Sequence, residues 1–196
     1  MKYLFCTLAV TLVACHSLPA LHYYSLAAVS PVAAANHPGA PRLLRVRHVS
    51  LPHEMDHLGL THHVGPTQLM ISDNDQWTAP LNILIQGTIT RDLGERLGYE
   101  HVVAADALPV TAHADTQINP DVLNLDLDFV ALAADDGCEI SAQVNWTVSG
   151  PTGVTRRGSA HLSAPATAAC PGGLPPALST ALGDLADQLV LPLTAS

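Results

Sequence analysis

The densest cluster of reactive side chains in this 196-residue chain is His53-Glu54-Met55-Asp56-His57, with His62 and His63 close behind. It matches the zinc-protease pattern H-E-x-x-H, in which two histidines one helical turn apart hold the metal and the glutamate activates its bound water. His63 stands near the spacing of a third ligand. One reading is therefore a zinc-binding periplasmic hydrolase built on His53, His57 and His63. The flanks argue against it. Pro52 precedes the motif, Gly59 interrupts it, and the segment lacks the apolar residues that would bury a zincin helix. With 11 histidines in the chain, chance pairs are common. The expectation is a loop with no resident metal.

Other candidate chemistry reduces to structure. Asp121, Asp126, Asp128, Asp135 and Asp136 could suggest calcium, but Asp126 and Asp128 alternate with leucines as the wet side of a strand. No glycine-bearing ligand loop accompanies them. Asn145-Trp146-Thr147 is a glycosylation sequon, although Trp146 reads more simply as a core or cross-strand aromatic. Nucleophile-elbow, phosphate-loop and dinucleotide fingerprints do not occur. The chain reads as a non-enzyme.

Cys15 offers a different chemistry, covalent lipid attachment. Lys2 supplies a positive start and Tyr3 to Val13 an apolar run too short to span a bilayer as a mature helix. The run ends in Leu12-Val13-Ala14-Cys15, which resembles the lipobox cut by the bacterial lipoprotein signal peptidase. An ordinary secretory signal with Cys15 incidental is the alternative. The expected organisation is a signal peptide over 1–14, a lipidated tether over 15–21 and one domain over 22–196. Diacylglycerol and an N-acyl chain on Cys15 would meet the two-chain requirement for stable anchoring, with no other cofactor expected. His16 stands where an Asp would signal retention in the inner membrane, so the expected location is the periplasmic face of the outer membrane.

Charge and cysteines fit that compartment. Loss of residues 1–14 would remove Lys2 and no acid, taking the formal charge from −9 to −10 over 182 residues. The remaining cations are seven arginines, at 42, 45, 47, 91, 96, 156 and 157. A chain so acidic excludes nucleic acid as a phosphate-bound partner. Nor would charge hold it on anionic lipid. Beyond Cys6 and Cys15 only Cys138 and Cys170 remain, an even pair that suggests a disulfide in an oxidising periplasm. Two buried free thiols are the alternative.

The elements that must position these residues follow from periodicity. Tyr23–Leu26 reads as a strand and 28–41 as an Ala/Pro-rich loop. Leu43–Val49 alternates, with Leu44, Val46 and His48 opposite Arg45, Arg47 and Val49. Gln68–Ile71 is a short strand, and Ser72-Asp73-Asn74-Asp75 a turn able to cap the next helix. Trp77, Leu81, Leu84, Ile85, Thr88, Ile89, Leu93 and Leu97 recur at helical spacing up to Gly98. His101–Ala104 is a short strand. In Val122–Leu132, leucines and Phe129 alternate with Asn124, Asp126 and Asp128. Glu139–Ser149 and Val154–Ser163 flank Gly150-Pro151-Thr152-Gly153 as an antiparallel hairpin, whose Arg156-Arg157 reads as an exposed cation pair. Pro171–Pro176 is a loop leading into a last helix with the stripe Leu178, Ala181, Leu182, Leu185 and Leu189. The fold class is α/β or α+β: a single domain with a mixed sheet, two main helices packed on it and a C-terminal antiparallel hairpin.

The order of these signals resembles a known family. A lipobox cysteine precedes Tyr23-Tyr24-Ser25-Leu26, then an arginine-bearing strand ending Val49-Ser50-Leu51-Pro52. Next, Gln76-Trp77-Thr78-Ala79-Pro80-Leu81 opens a helix that ends Asp92-Leu93-Gly94-Glu95-Arg96-Leu97. This is similar to the ABC-type transport auxiliary lipoproteins, the family of paraquat-inducible protein C, over residues 15 to 190. It departs from that pattern at Met55-Asp56-His57-Leu58 and Thr61-His62-His63-Val64, where arginines are expected. The resemblance implies a non-catalytic component of an intermembrane phospholipid-transport system. Its partners would be an MCE-domain protein with a permease and ATPase, and the chain could form a homo-oligomeric ring.

Overall fold

The computed structural model describes residues 19–31, 43–103, 122–150 and 153–194, with the side chains of residues 154 and 155 left aside. Among the described residues, eight strands and two long helices form a mixed α/β domain. The strands are β1 (His22–Tyr24), β2 (Leu44–Ser50), β3 (Gly59–His63), β4 (Leu69–Trp77), β5 (Val102–Val103), β6 (Leu123–Ala134), β7 (Ile140–Gly150) and β8 (Gly153–Ala164). The helices are α1 (Leu81–Leu97) and α2 (Leu174–Thr194). The strands do not make the one sheet expected. They form a five-stranded sheet in the order β5-β2-β6-β7-β8 and a three-stranded one in the order β1-β4-β3. Each is mixed. β2 runs parallel to β5 and β6 while β6, β7 and β8 are antiparallel. β4 pairs parallel with β1 and antiparallel with β3.

The core lies between the larger sheet and the helices. α1 packs on β2 and on α2, and α2 packs on β7 and β8. Alternation in β6 buries Leu125, Leu127 and Phe129 and leaves Asp126 and Asp128 on the wet side, as the sequence pattern requires. The stripe of α2 from Leu178 to Leu189 is buried. Burial of these apolar faces, each large side chain contributing on the order of 1.5–3 kcal/mol, is what joins sheet and helices. The antiparallel hairpin is β7–β8, followed by α2 as the last element.

Several local expectations change. A bulge between Val46 and His48 shifts the phase of β2, so Val49 is buried and His48 is exposed, the reverse of strict alternation. Ser72-Asp75 is not a turn. It lies within β4 as an irregular, bulged passage: β3 pairs with Ile71 and Gln76 to either side of it, β1 pairs with Asp75–Trp77, and the Ser72 hydroxyl receives the Asp75 amide across it. Pairing to either side carries the strand through the local turn signal as a bulge. The helix therefore begins after Trp77: Pro80 occupies its cap position with no side-chain cap bond, and its carbonyl receives the amides of Ile83 and Leu84. Gly98 ends α1 as expected, at φ 95°, with its amide on the Gly94 carbonyl. Pro175 and Pro176 lie inside the first turn of α2 rather than in a loop, where a missing amide costs little.

Candidate functional site

The histidine motif is not helical in the way a zincin requires. His53, Glu54 and Met55 form a single 3-10 turn, entered at Pro52 and left at Asp56. His57 lies beyond it, its Nδ1 donating to the Gly59 carbonyl at 3.1 Å and its Nε2 3.2 Å from the Thr61 hydroxyl. His62 and His63 follow on β3, His62 buried and His63 half-buried. Thus His53, His57 and His63 share no helix face. Among the described residues no three His, Cys, Asp or Glu side chains are gathered as a metal would need.

His53 and His57 do share a cleft. A cavity of about 460 Å³ opens where β2 ends, the 3-10 turn passes and α1 begins. Its buried apolar wall comes from Val49, Met55 and Leu81; exposed at its mouth stand His48, His53, Asp56 and Leu58. The volume falls in the range of small-ligand sites. Ser50 and Asn82 also line it, but the Ser50 hydroxyl donates to the Asp128 carboxylate. The arrangement can hold an apolar group and hydrogen-bond its surroundings. The stretches Val49-Ser50-Leu51 and Pro80-Leu81, far apart in sequence, meet at this cleft.

A second polar centre escaped the sequence reading. The segment after β1 crosses the helices, and its backbone is held by side chains of both. The amide of Ala27 donates to Ser179 Oγ at 3.1 Å, and that of Val29 to Asp92 Oδ1 at 2.7 Å. Arg91 donates to the Leu26 carbonyl and Arg96 to that of Val29. Arg96 also reaches the Gly183 carbonyl and, through Nε, Asp187 at 2.6 Å. At Gly183 a Cβ would stand 2.9 Å from Val29, so glycine allows the crossing segment to lie close. Burial pushes the Asp92 carboxyl up to about 6, against the opposing pull of the Val29 amide and Arg96. Its Oδ2, like Nδ1 of His62, has no hydrogen-bond partner among the described residues. The signal was present: Asp92 and Arg96 fall on the stripe of Ile85, Ile89 and Leu93.

The remaining candidates separate. Cys138 and Cys170 are joined as a disulfide with Cα atoms 5.3 Å apart. Cys138 sits at φ 63° in a turn that Asp135 organises, its carboxylate receiving the amides of Gly137 and Glu139. Asp126 pairs with Arg47, and Asn124 with Arg45, along the outer face of the larger sheet. Asp126 and Asp128 face solvent there with no cation loop, and Asp135 is spent on its own turn. Arg156 and Arg157 are not an exposed pair. They alternate across β8, so Arg156 reaches the Pro192 carbonyl at the end of α2 while Arg157 faces out. Trp146 is a cross-strand aromatic opposite Gly158, where a Cβ would run into the indole. Cys15, His16, Arg42, Asp121 and the loop residues Pro151 and Thr152 lie outside the described residues.

Comparison with known proteins gives the lineage. No curated protein matches the chain. Solved structures similar in fold include the following two. One, a crystal structure of an uncharacterized protein, has a TM-score of 0.65 at 16% identity, covering 89% of this chain and 99% of its own. The other, protein XCC0632 from Xanthomonas campestris, of the DUF330 family, has a TM-score of 0.62 at 14% identity, covering 88% and 94%. The family model described as ABC-type transport auxiliary lipoprotein component matches residues 24–190. The match takes in both helices, both sheets from Tyr24 onward and the cleft, and the chain belongs to that family of ABC-transport auxiliary lipoproteins.

Proposed function

We propose that this chain is a non-catalytic docking component of an ABC-type system that moves phospholipid between membranes. It works from the periplasmic face of the outer membrane beside an MCE-domain protein, a permease and an ATPase, with itself as a homo-oligomeric ring. The family match over residues 24–190 is the observation that carries the reading. The lipobox at Cys15, followed by His16, supports outer-membrane anchoring. A cleft with a buried apolar wall suits receipt of a partner's side chain. Leu58, 45% exposed at its mouth, is the contact to disturb.

The test is affinity purification of the tagged full chain from solubilised envelopes of its own bacterium. The permease, ATPase and MCE-domain protein are expected together. Leu58→Asp should lower their recovery about tenfold, the order of a hot-spot loss of about 1.4 kcal/mol, while the melting temperature stays within a few degrees. Absence of all three partners would overturn the reading.

A further inference from the structure

We infer that the edge strand β1 and the residues leading into it are the surface this protein lays against the bilayer that holds its acyl chains, with Tyr23 and Leu21 at headgroup depth. The inference rests on the reading of Cys15 as the lipidated residue. Leu21 follows Cys15 by six positions, a leash that spans at most roughly 20 Å fully extended. Whatever part of the body follows Leu21 is therefore kept at the membrane. Pro19, Ala20, Leu21, His22 and Tyr23 are all exposed, Leu21 by 46% and Tyr23 by 62%. Single exposed apolar residues are ordinary on a protein surface; an exposed aliphatic and an exposed tyrosine at the exit of a membrane leash are placed where such side chains partition into the interface.

The chain leading into β1 adds no negative charge of its own at this place. All 17 acidic residues of the chain lie at Glu54 or beyond, so the stretch from Cys15 to Tyr23 carries no carboxylate in an otherwise strongly acidic protein. The Asp75 carboxylate on the neighbouring β4 accepts hydrogen bonds from Ser72, His22 and Tyr24 and keeps its charge. The surface is also fixed in orientation. β1 pairs with β4, and the backbone just after it is bound to Ser179, Asp92, Arg91 and Arg96, so Tyr23 cannot swing away from the domain.

The test uses the acylated full chain in vesicles of phosphatidylethanolamine and phosphatidylglycerol, with bromine on the acyl carbons nearest the headgroup. Tyr23→Trp adds an exposed indole to the native Trp77 and Trp146. Tyr99→Trp, at the opposite end of α1 from β1, is the matched control. The added emission at position 23 should be quenched at least about twofold relative to unbrominated vesicles, and that at position 99 should not change. A protein that floats with the vesicles but shows no quenching at position 23 overturns the membrane face while leaving the anchor intact. A protein that does not float, with the Cys15 thiol still free, overturns the anchor and this inference with it. Quenching at both positions to the same degree overturns it too, since the domain then has no preferred face.

Discussion

Asp92 and Arg96 show how a helix can carry charge into a core. Both side chains are essentially shielded from solvent, yet the carboxylate and guanidinium are 3.9 Å apart, too far for a direct hydrogen bond. They are kept in register by the backbone that both of them bind. Such a pair is a costly way to gain stability and a good way to fix geometry. Asp92 sits above its unfolded value, so the folded state holds its proton more tightly than the unfolded chain does. Its contribution is then fully present below about pH 4 and is lost as pH rises through about 6. Relative to Asp92→Asn, the wild type should lose about 3 kcal/mol of stability between pH 3.5 and 7, read from urea midpoints at each pH. A flat difference across that window would contradict the burial argument. Tyr24 and Asp75 form a milder version. The Ser72 hydroxyl, ahead of His22 and Tyr24, holds the Asp75 carboxyl below its ordinary value, and burial raises the Tyr24 phenol. The stripe positions of Asp92 and Arg96 are legible in the sequence but their roles are not, because a charged residue there looks like an interruption until its partners on another segment are known.

At the level of elements, periodicity is legible where one face of an element meets the core. β6, the β7–β8 hairpin, the stripe of α1 from Leu81 to Leu97 and that of α2 follow directly from alternation or helical spacing. What cannot be read depends on pairing between distant segments. The bulge in β2 is set by β6, and the bulged passage of β4 through Ser72-Asp75 by pairing to either side of it with β1 and β3. Trp77 fits the helical stripe and is buried, yet it closes β4, since burial alone does not distinguish the last residue of a strand from the first of a helix. The cleft is the least legible feature. Its histidines stand out in the sequence as a metal motif, whereas their placement depends on where β2 and α1 converge. The disulfide yields a prediction at this scale. Cys138 and Cys170, 32 residues apart in sequence, tie the start of β7 to the start of α2. Replacing both by Ser should lower stability by about 3–4 kcal/mol, measured by urea unfolding against the oxidised wild type. A loss below about 1 kcal/mol would mean the reduced unfolded chain is already compact there.

For the molecule as a whole, no helix among the described residues is long and apolar enough to cross a membrane, although α2 has 21 residues. The family assignment makes the chain a lipoprotein component, and Cys15 is where its sequence offers the modification. Cys15→Ser should shift the protein from the membrane pellet to the soluble fraction if the signal is still cut, or leave it as an uncut precursor; gel mobility and fractionation read both. A Cys15→Ser variant of mature size that remained in the outer membrane would contradict lipid anchoring. The way the chain enters the fold also has a mechanical consequence. A pull arriving along residues 15–21 meets first the parallel ladder of β1 on β4, and then the amide and carbonyl groups of residues 26–29 held between α1 and α2. Tension at the leash is thus passed into the packed helices through several hydrogen bonds together. With the chain anchored at Cys15 as proposed, displacement of the anchor would load these hydrogen bonds together with the β1 ladder.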